Sequence, residues 1–219
     1  MEDAEFKCKN CINCIPLVEP TVKVLVGEDH LDMVKTFCYL GDVVGNNGGC
    51  ADAITNRVRG AWKKFRELLP ILTNRAISLH IRGHVFSAAV RSVLLHASET
   101  WPMTSEEITR IVRNDNSMVR WICSKKLSDR CSMSDLHTKL KISNIVEVLR
   151  QGRLGWFGHI MRLNDNLWQK KILSFHVDGA APRGRPKMRW IDNVNQDMRN
   201  LGIRTDLTDD RVAWRLAIK

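Results

Sequence analysis

The spacing of apolar residues changes near residue 50, and that change divides the chain. Residues 21–26, Thr-Val-Lys-Val-Leu-Val, alternate over a few positions, and Gly27-Glu28-Asp29-His30 follows as a turn. Leu31-Asp32-Met33-Val34 leads into Phe37-Cys38-Tyr39-Leu40-Gly41-Asp42-Val43-Val44. Here aromatic and β-branched residues at 37, 39, 43 and 44 favour an extended strand. Gly41, Gly48 and Gly49 supply the positive φ angles of tight turns. The pattern predicts a β-hairpin, then a strand over 37–44, then a joint at 46–49.

From Asp52 onward the period is helical. Ile54, Val58, Ala61, Trp62, Phe65, Leu68 and Leu69 recur at i, i+4, i+7 and i+8 spacing, with Pro70 ending the run. A second helix after Asn74 turns Ile77, Ile81, Val85, Ala88, Ala89, Val93 and Leu94 inward and leaves Arg75, Arg82 and Arg91 outside. Thr104 and Glu107 form a capping box that opens a helix through Ile108, Ile111, Val112, Val119 and Ile122. A short helix over 134–140 follows. Ser143 caps another, with Ile145, Val148, Leu149, Trp156, Ile160 and Leu163 inward. Trp190, Val194, Met198 and Leu201 share a helix face. Thr208, Asp209 and Asp210 start a last helix containing Trp214, with acids at the favourable end of its dipole. The expected fold is mainly α: a short N-terminal β-hairpin and strand remnant followed by a multi-helix bundle. The expected divisions are 1–20, 21–49, 50–102 and 103–219.

Charge sharpens this picture. The chain of 219 residues carries a formal +10, with 34 Lys+Arg against 24 Asp+Glu. The excess is local: residues 1–56 hold four cations against nine acids, while residues 57–91 hold eight against Glu67 alone. A step of that size suits a basic face for a polyanion. Arg57, Arg59, Lys63, Lys64 and Arg66 are the candidate phosphate contacts, by counterion release. A solvated helix face is the plain alternative. No apolar run reaches membrane-spanning length, the N-terminus is acidic without an apolar core, and the seven cysteines are odd in number. A nuclear or cytoplasmic protein with reduced thiols, away from membranes, is expected.

Candidate chemistry is sparse. Cys8, Cys11 and Cys14 stand at C-x2-C-x2-C spacing, so Cys8 and Cys11 could supply two zinc ligands where a structural site needs four. Unligated thiols are the other reading, and no bound zinc or other cofactor is expected in this chain. Arg183-Gly184-Arg185-Pro186-Lys187 has the core of an AT-hook, in which Arg-Gly-Arg lies along a narrow A·T minor groove. It also reads as a basic loop between helices. His80 and His84 sit one turn apart with no acid or cysteine placed to complete a metal site. There is no phosphate loop, metalloprotease helix or nucleophile elbow.

Several blocks occur in a telling order: Phe37-Cys38-Tyr39-Leu40-Gly41, Ala61-Trp62-Lys63-Lys64-Phe65 and Leu94-Leu95-His96-Ala97-Ser98-Glu99-Thr100-Trp101. Arg153-Leu154-Gly155-Trp156-Phe157-Gly158-His159-Ile160, Arg183 to Trp190, and Asp210-Arg211-Val212-Ala213-Trp214-Arg215 complete the series. Together they resemble the C-terminal part of a non-LTR (LINE-type) retrotransposon reverse transcriptase. The resemblance implies that Phe37, Tyr39, Leu40 and Gly41 belong to the primer grip at the end of the palm. It makes the helices from Asp52 the thumb and the later ones a C-terminal extension. Cys38 stands where the family often carries a basic residue. The segment from Glu5 to Cys11 is similar to the end of a PHD-like zinc finger. The implied partners are RNA–DNA or DNA duplex on the basic face and the palm and fingers of a parent polyprotein. The catalytic aspartates of that family have no counterpart here, so the expectation is a truncated element copy or a partial gene model, inactive by itself, with Mg²⁺ needed only by the full-length enzyme. An AT-hook-like DNA-binding protein and a helical interaction module without a nucleic-acid role remain the alternatives.

Overall fold

The computed structural model describes residues 23–26, 29–32, 34–39, 42–45, 49–175 and 186–219. It is mainly helical, with short antiparallel sheet on the N-terminal side, and divides into two units, Met1–Asn56 and Arg57–Lys219.

In the first unit, β1 (Lys23–Val26) pairs antiparallel with β2 (Asp29–Asp32), in the register Lys23 to Asp32 and Val26 to Asp29. A second hairpin joins β3 (Thr36–Tyr39) to β4 (Asp42–Gly45), with Phe37 opposite Val44 and Tyr39 opposite Asp42. The stretch over 37–44 is therefore two strands, not one. Leu40 and Gly41 themselves lie outside the described residues, as does Gly48. Gly49 has the left-handed φ of +86° expected of it.

Helix α1 (Ala51–Glu67) begins in the first unit and continues into the second. In the second unit it buries Val58, Ala61 and Phe65, close to the predicted face. Pro70 sits in the first turn of the short α2 (Leu69–Leu72), where its missing N–H costs nothing. Then come α3 (Leu79–Val85), a π-helical turn (Phe86–Arg91) and α4 (Ser92–Leu94). These are followed by α5 (Ser105–Ile122), α6 (Met133–Leu140) and α7 (Ile145–Met161). The last helices are α8 (Trp168–Ser174), α9 (Trp190–Leu201) and α10 (Arg211–Ala217). Among the described residues no helix is long and apolar enough to cross a membrane.

The predicted capping box is present: Glu107 N–H donates to Thr104 Oγ1 at 3.4 Å, and Thr104 N–H donates to Glu107 Oε2 at 2.7 Å. The predicted inward face of the helix after Asn74 holds at Leu94 but not at Ile81, and two arginines expected outside turn inward. Ile81 is 53% exposed, while Arg82 and Arg91 are buried beside Gly83, Phe86, Val90 and Leu94. Arg82 Nη1 donates to the carbonyl of Ile122 at 3.1 Å. Arg91 grips Asp115 with two bonds, Nε to Oδ1 at 2.8 Å and Nη2 to Oδ2 at 2.7 Å, and gives Nη1 to the Ser143 carbonyl at 2.7 Å. The π-helical turn carries an extra residue, which rotates the following positions and brings Arg91 inward beside Val90. Along α7 the inward aromatic is likewise Phe157 rather than Trp156, which is exposed. The helix at 145 is capped by Asn144, not Ser143.

The C-terminal core gathers Leu154, Phe157, Val194, Met198, Trp214 and Ile218 from α7, α9 and the end of the chain. Trp214 Nε1 donates to the Leu154 carbonyl at 3.0 Å. Gly158 permits this approach, because a Cβ there would lie 2.6 Å from Trp214 Cδ1. Trp190 Nε1 reaches the Glu99 carbonyl at 2.7 Å, and Asn193 Nδ2 the Met103 carbonyl at 2.8 Å, so α9 docks on the segment 97–103. Blocks far apart in sequence thus meet as packing surfaces.

His137 is held below its ordinary pKa of 6.5, first by burial and then by Arg91, with Asp115 and Glu147 acting the other way. The unfolded chain therefore binds a proton here more readily than the folded one. Stability should be full above about pH 6.5 and fall as the pH drops below it, until the folded His137 also protonates. Urea midpoints measured across pH 5–7 should decline toward acid for wild type and decline less for His137→Gln.

Candidate nucleic-acid interface

The basic residues of α1 do not act alike. Arg59, Lys63 and Arg66 are exposed and fall at i, i+4 and i+7, one stripe along the outer face. At about 1.5 Å per residue the stripe runs about 10 Å. Arg66 lies over the Trp62 ring, 6.0 Å from its centroid. Trp62 is itself fixed by Nε1 donating to Asn114 Oδ1 on α5 at 2.8 Å and by the Phe65 and Trp121 rings. The stripe is thus mounted on a packed aromatic base. Lys64 is half-buried and paired with Glu67 at 3.2 Å, so its charge is partly answered. Arg57 is half-buried, with Nε and Nη2 shielded from water and without a hydrogen-bond partner among the described residues. Of the other predicted cations on the following helices, Arg75 is exposed, and Arg82 and Arg91 are internal fasteners. The basic face is narrower than its charge count suggests.

In the first unit, Phe37 and Tyr39 are 56% and 61% exposed on one face of β3, their rings stacked with centroids 6.4 Å apart. Val44, opposite Phe37, is exposed on the same face. Aromatic residues that face water in place of a core offer a surface to a flat or apolar partner. Arg183, Gly184 and Arg185 lie outside the described residues. Pro186 and Lys187 are exposed ahead of α9. Cys8, Cys11 and Cys14 also lie outside. Among the described residues, no three His, Cys, Asp or Glu side chains are grouped to hold a metal ion.

A second basic surface was not singled out by sequence. Gln151, Gly155 and His159 on α7, with Arg162 just past its end, form a stripe facing Arg211 and Arg215 of α10 across a groove of about 640 Å³. Its helical spacing is visible in the chain, but only the docking of α10 on α7 makes the stripe one wall of a groove. Nearby, Arg153 is buried and forms an ion pair with Asp197 at 3.4 Å, a geometry short of a hydrogen bond. Burial raises the Asp197 pKa despite the opposing pull of Arg153 and Arg150.

Among known proteins, the chain is similar to a Caenorhabditis elegans protein named as uncharacterized and transposon-derived, at 23% identity over 174 residues. The match covers 77% of this chain and 62% of that protein, so the chain spans under two-thirds of its relative's length. No protein-family model matches, and no solved structure matches. The likeness supports a transposable-element origin.

Proposed function

We propose that the chain is a nucleic-acid-holding part of a non-LTR retrotransposon reverse transcriptase: the primer-grip hairpin, the thumb and a helical C-terminal extension. The observation that carries this reading is the stripe Arg59, Lys63 and Arg66, three exposed cations on a helix anchored by Trp62. Cations in a line on a rigid helix neutralise successive phosphates of a duplex without reading its bases. The exposed Phe37 and Tyr39 pair supports the hairpin as a surface for a primer end, where base or sugar faces meet aromatic rings. The transposon-derived relative supports the origin of the chain. In this role the chain positions duplex and performs no chemistry of its own.

The test is duplex binding as a function of salt. Wild type should bind an RNA–DNA hybrid with an affinity that falls steeply with salt. The Arg59→Gln/Lys63→Gln/Arg66→Gln variant should bind about tenfold or more weakly, with a log–log salt slope shallower by about 3. Its melting temperature should stay close to wild type, because all three side chains are exposed. Unchanged affinity and slope would remove α1 as the duplex contact. Preference for A·T-rich over G·C-rich duplex, lost on Arg185→Ala, would instead favour the AT-hook reading.

A further inference from the structure

The groove between α7 and α10 carries exposed arginines, Arg211 and Arg215, that packing does not account for. Arg162, Arg211, Arg215 and Lys219 line it together with His159, and among the described residues no Asp or Glu does. Its floor is apolar, formed by Trp214 and Ile218. Arg162 Nη1 donates to the Thr208 carbonyl at 2.7 Å, fixing the turn ahead of α10 against α7. The side chains of Arg211 and Arg215 have no carboxylate partner among the described residues.

Helix α10 breaks two local rules to place these arginines. Arg211 opens the helix, where a cation opposes the dipole that the Asp210 cap otherwise complements. Arg215 follows one turn later, and like charges at i, i+4 repel. Asp210 caps the helix by accepting from Val212 N–H at 2.8 Å and Ala213 N–H at 3.1 Å, so that carboxylate is occupied in holding the turn. Local rules broken together, without a packing gain, mark a place kept for binding.

Gly155 points the same way. A Cβ there would meet nothing within 4 Å among the described residues, so none of the described helices needs this glycine. It costs α7 helix propensity and keeps the groove wall low. His159 lines the groove, and its ring lies against that of exposed Trp156, which stands outside the lining, with centroids 5.3 Å apart and planes 31° from parallel. A flat aromatic pair beside a row of cations matches the chemistry of a base next to its phosphates. Double helix suits the groove poorly, because its bases are stacked inward and cannot reach the rings.

We propose that this groove binds single-stranded nucleic acid, with phosphates on Arg211 and Arg215 and a base against the Trp156–His159 pair. The inference goes beyond a duplex-holding thumb and stands on its own, since its residues share none with the α1 stripe.

The test is fluorescence anisotropy with a labelled short oligothymidylate and, separately, a blunt duplex. Arg211→Gln/Arg215→Gln should weaken the single strand about tenfold and flatten its salt slope by about 1.4, leaving duplex affinity unchanged. Gly155→Leu should weaken it as well by filling the groove, with no loss in melting temperature. Trp156→Ala should weaken it about fivefold or more through lost stacking. Unchanged single-strand binding in both Arg211→Gln/Arg215→Gln and Gly155→Leu would overturn the proposal. So would full retention by Trp156→Ala with equal displacement by inorganic polyphosphate, which would make the groove a general polyanion site. The α1 triple variant separates the two readings: it should lose duplex and keep the single strand.

Discussion

Replacing Asp115 with alanine is expected to cost the fold about 3–5 kcal/mol, a large share of the roughly 5–15 kcal/mol that holds a domain together. Asp115 is fully buried on α5, and Arg91, 4% exposed, closes on it with two hydrogen bonds of 2.8 and 2.7 Å. Arg91 also lies over the Phe86 ring, 5.4 Å from its centroid, and donates to Ser143. One side chain thus joins the π-helical turn, α5 and the entry to α7. Without the carboxylate, a guanidinium remains buried with only the Ser143 carbonyl to answer it, and water must enter or the helices part. Most of the expected loss is the cost of that stranded charge, not the value of the pair. The distinction has its own measurement. Arg91→Met combined with Asp115→Leu should recover much of the loss in a urea melt followed by circular dichroism. Asp115→Ala at the wild-type midpoint would mean that Arg91 finds water or another partner at no cost.

The same pair explains why part of the fold was legible in the sequence and part was not. Periodicity identifies α1 because its buried positions are apolar, and the Thr104–Glu107 box because its chemistry is local. In the helix after Asn74, the buried positions include Arg82 and Arg91. A pattern that assigns arginine to solvent then turns the wrong face inward, and the extra residue of the π-helical turn compounds the error. The charge step after residue 56 was visible for the same reason that it misled: a count cannot separate the exposed Arg59, Lys63 and Arg66 from arginines that hold helices together. The α7–α10 groove shows the opposite limit. Gln151, Gly155, His159 and Arg162 recur at helical intervals of four, four and three residues, yet a stripe of this kind reads as a solvated face. Its partner wall lies some fifty residues on in sequence, brought close by Trp214. Trp156 and Phe157 differ by one position, and only tertiary packing decides which faces water.

Gly83→Ala should also be strongly destabilising, and the sign is decided by two opposed effects. In an isolated helix, alanine is better than glycine by about 1 kcal/mol. Here a Cβ on α3 would press into the carbonyl oxygen of Leu140, and would lie 3.0 Å from that residue's carbonyl carbon and Cβ. The obstacle is backbone at the end of α6, and Leu140 is fully buried, so no side chain can swing aside. Relief requires α3 and α6 to separate. That would disturb the adjacent Arg82, whose Nη1 is bonded to the Ile122 carbonyl, and His137, which sits within reach of the Arg91–Asp115 charges. Overpacking of this kind costs about 1–3 kcal/mol and more where backbone must shift, so the clash outweighs the gain in propensity. A net loss of about 2 kcal/mol or more is expected in denaturant unfolding. Gly155→Ala supplies the control within the same molecule: with open space around its Cβ, it should show the gain in propensity without the clash and melt slightly higher. If both variants were stabilised equally, α3 and α6 would not approach as closely as their backbones do here.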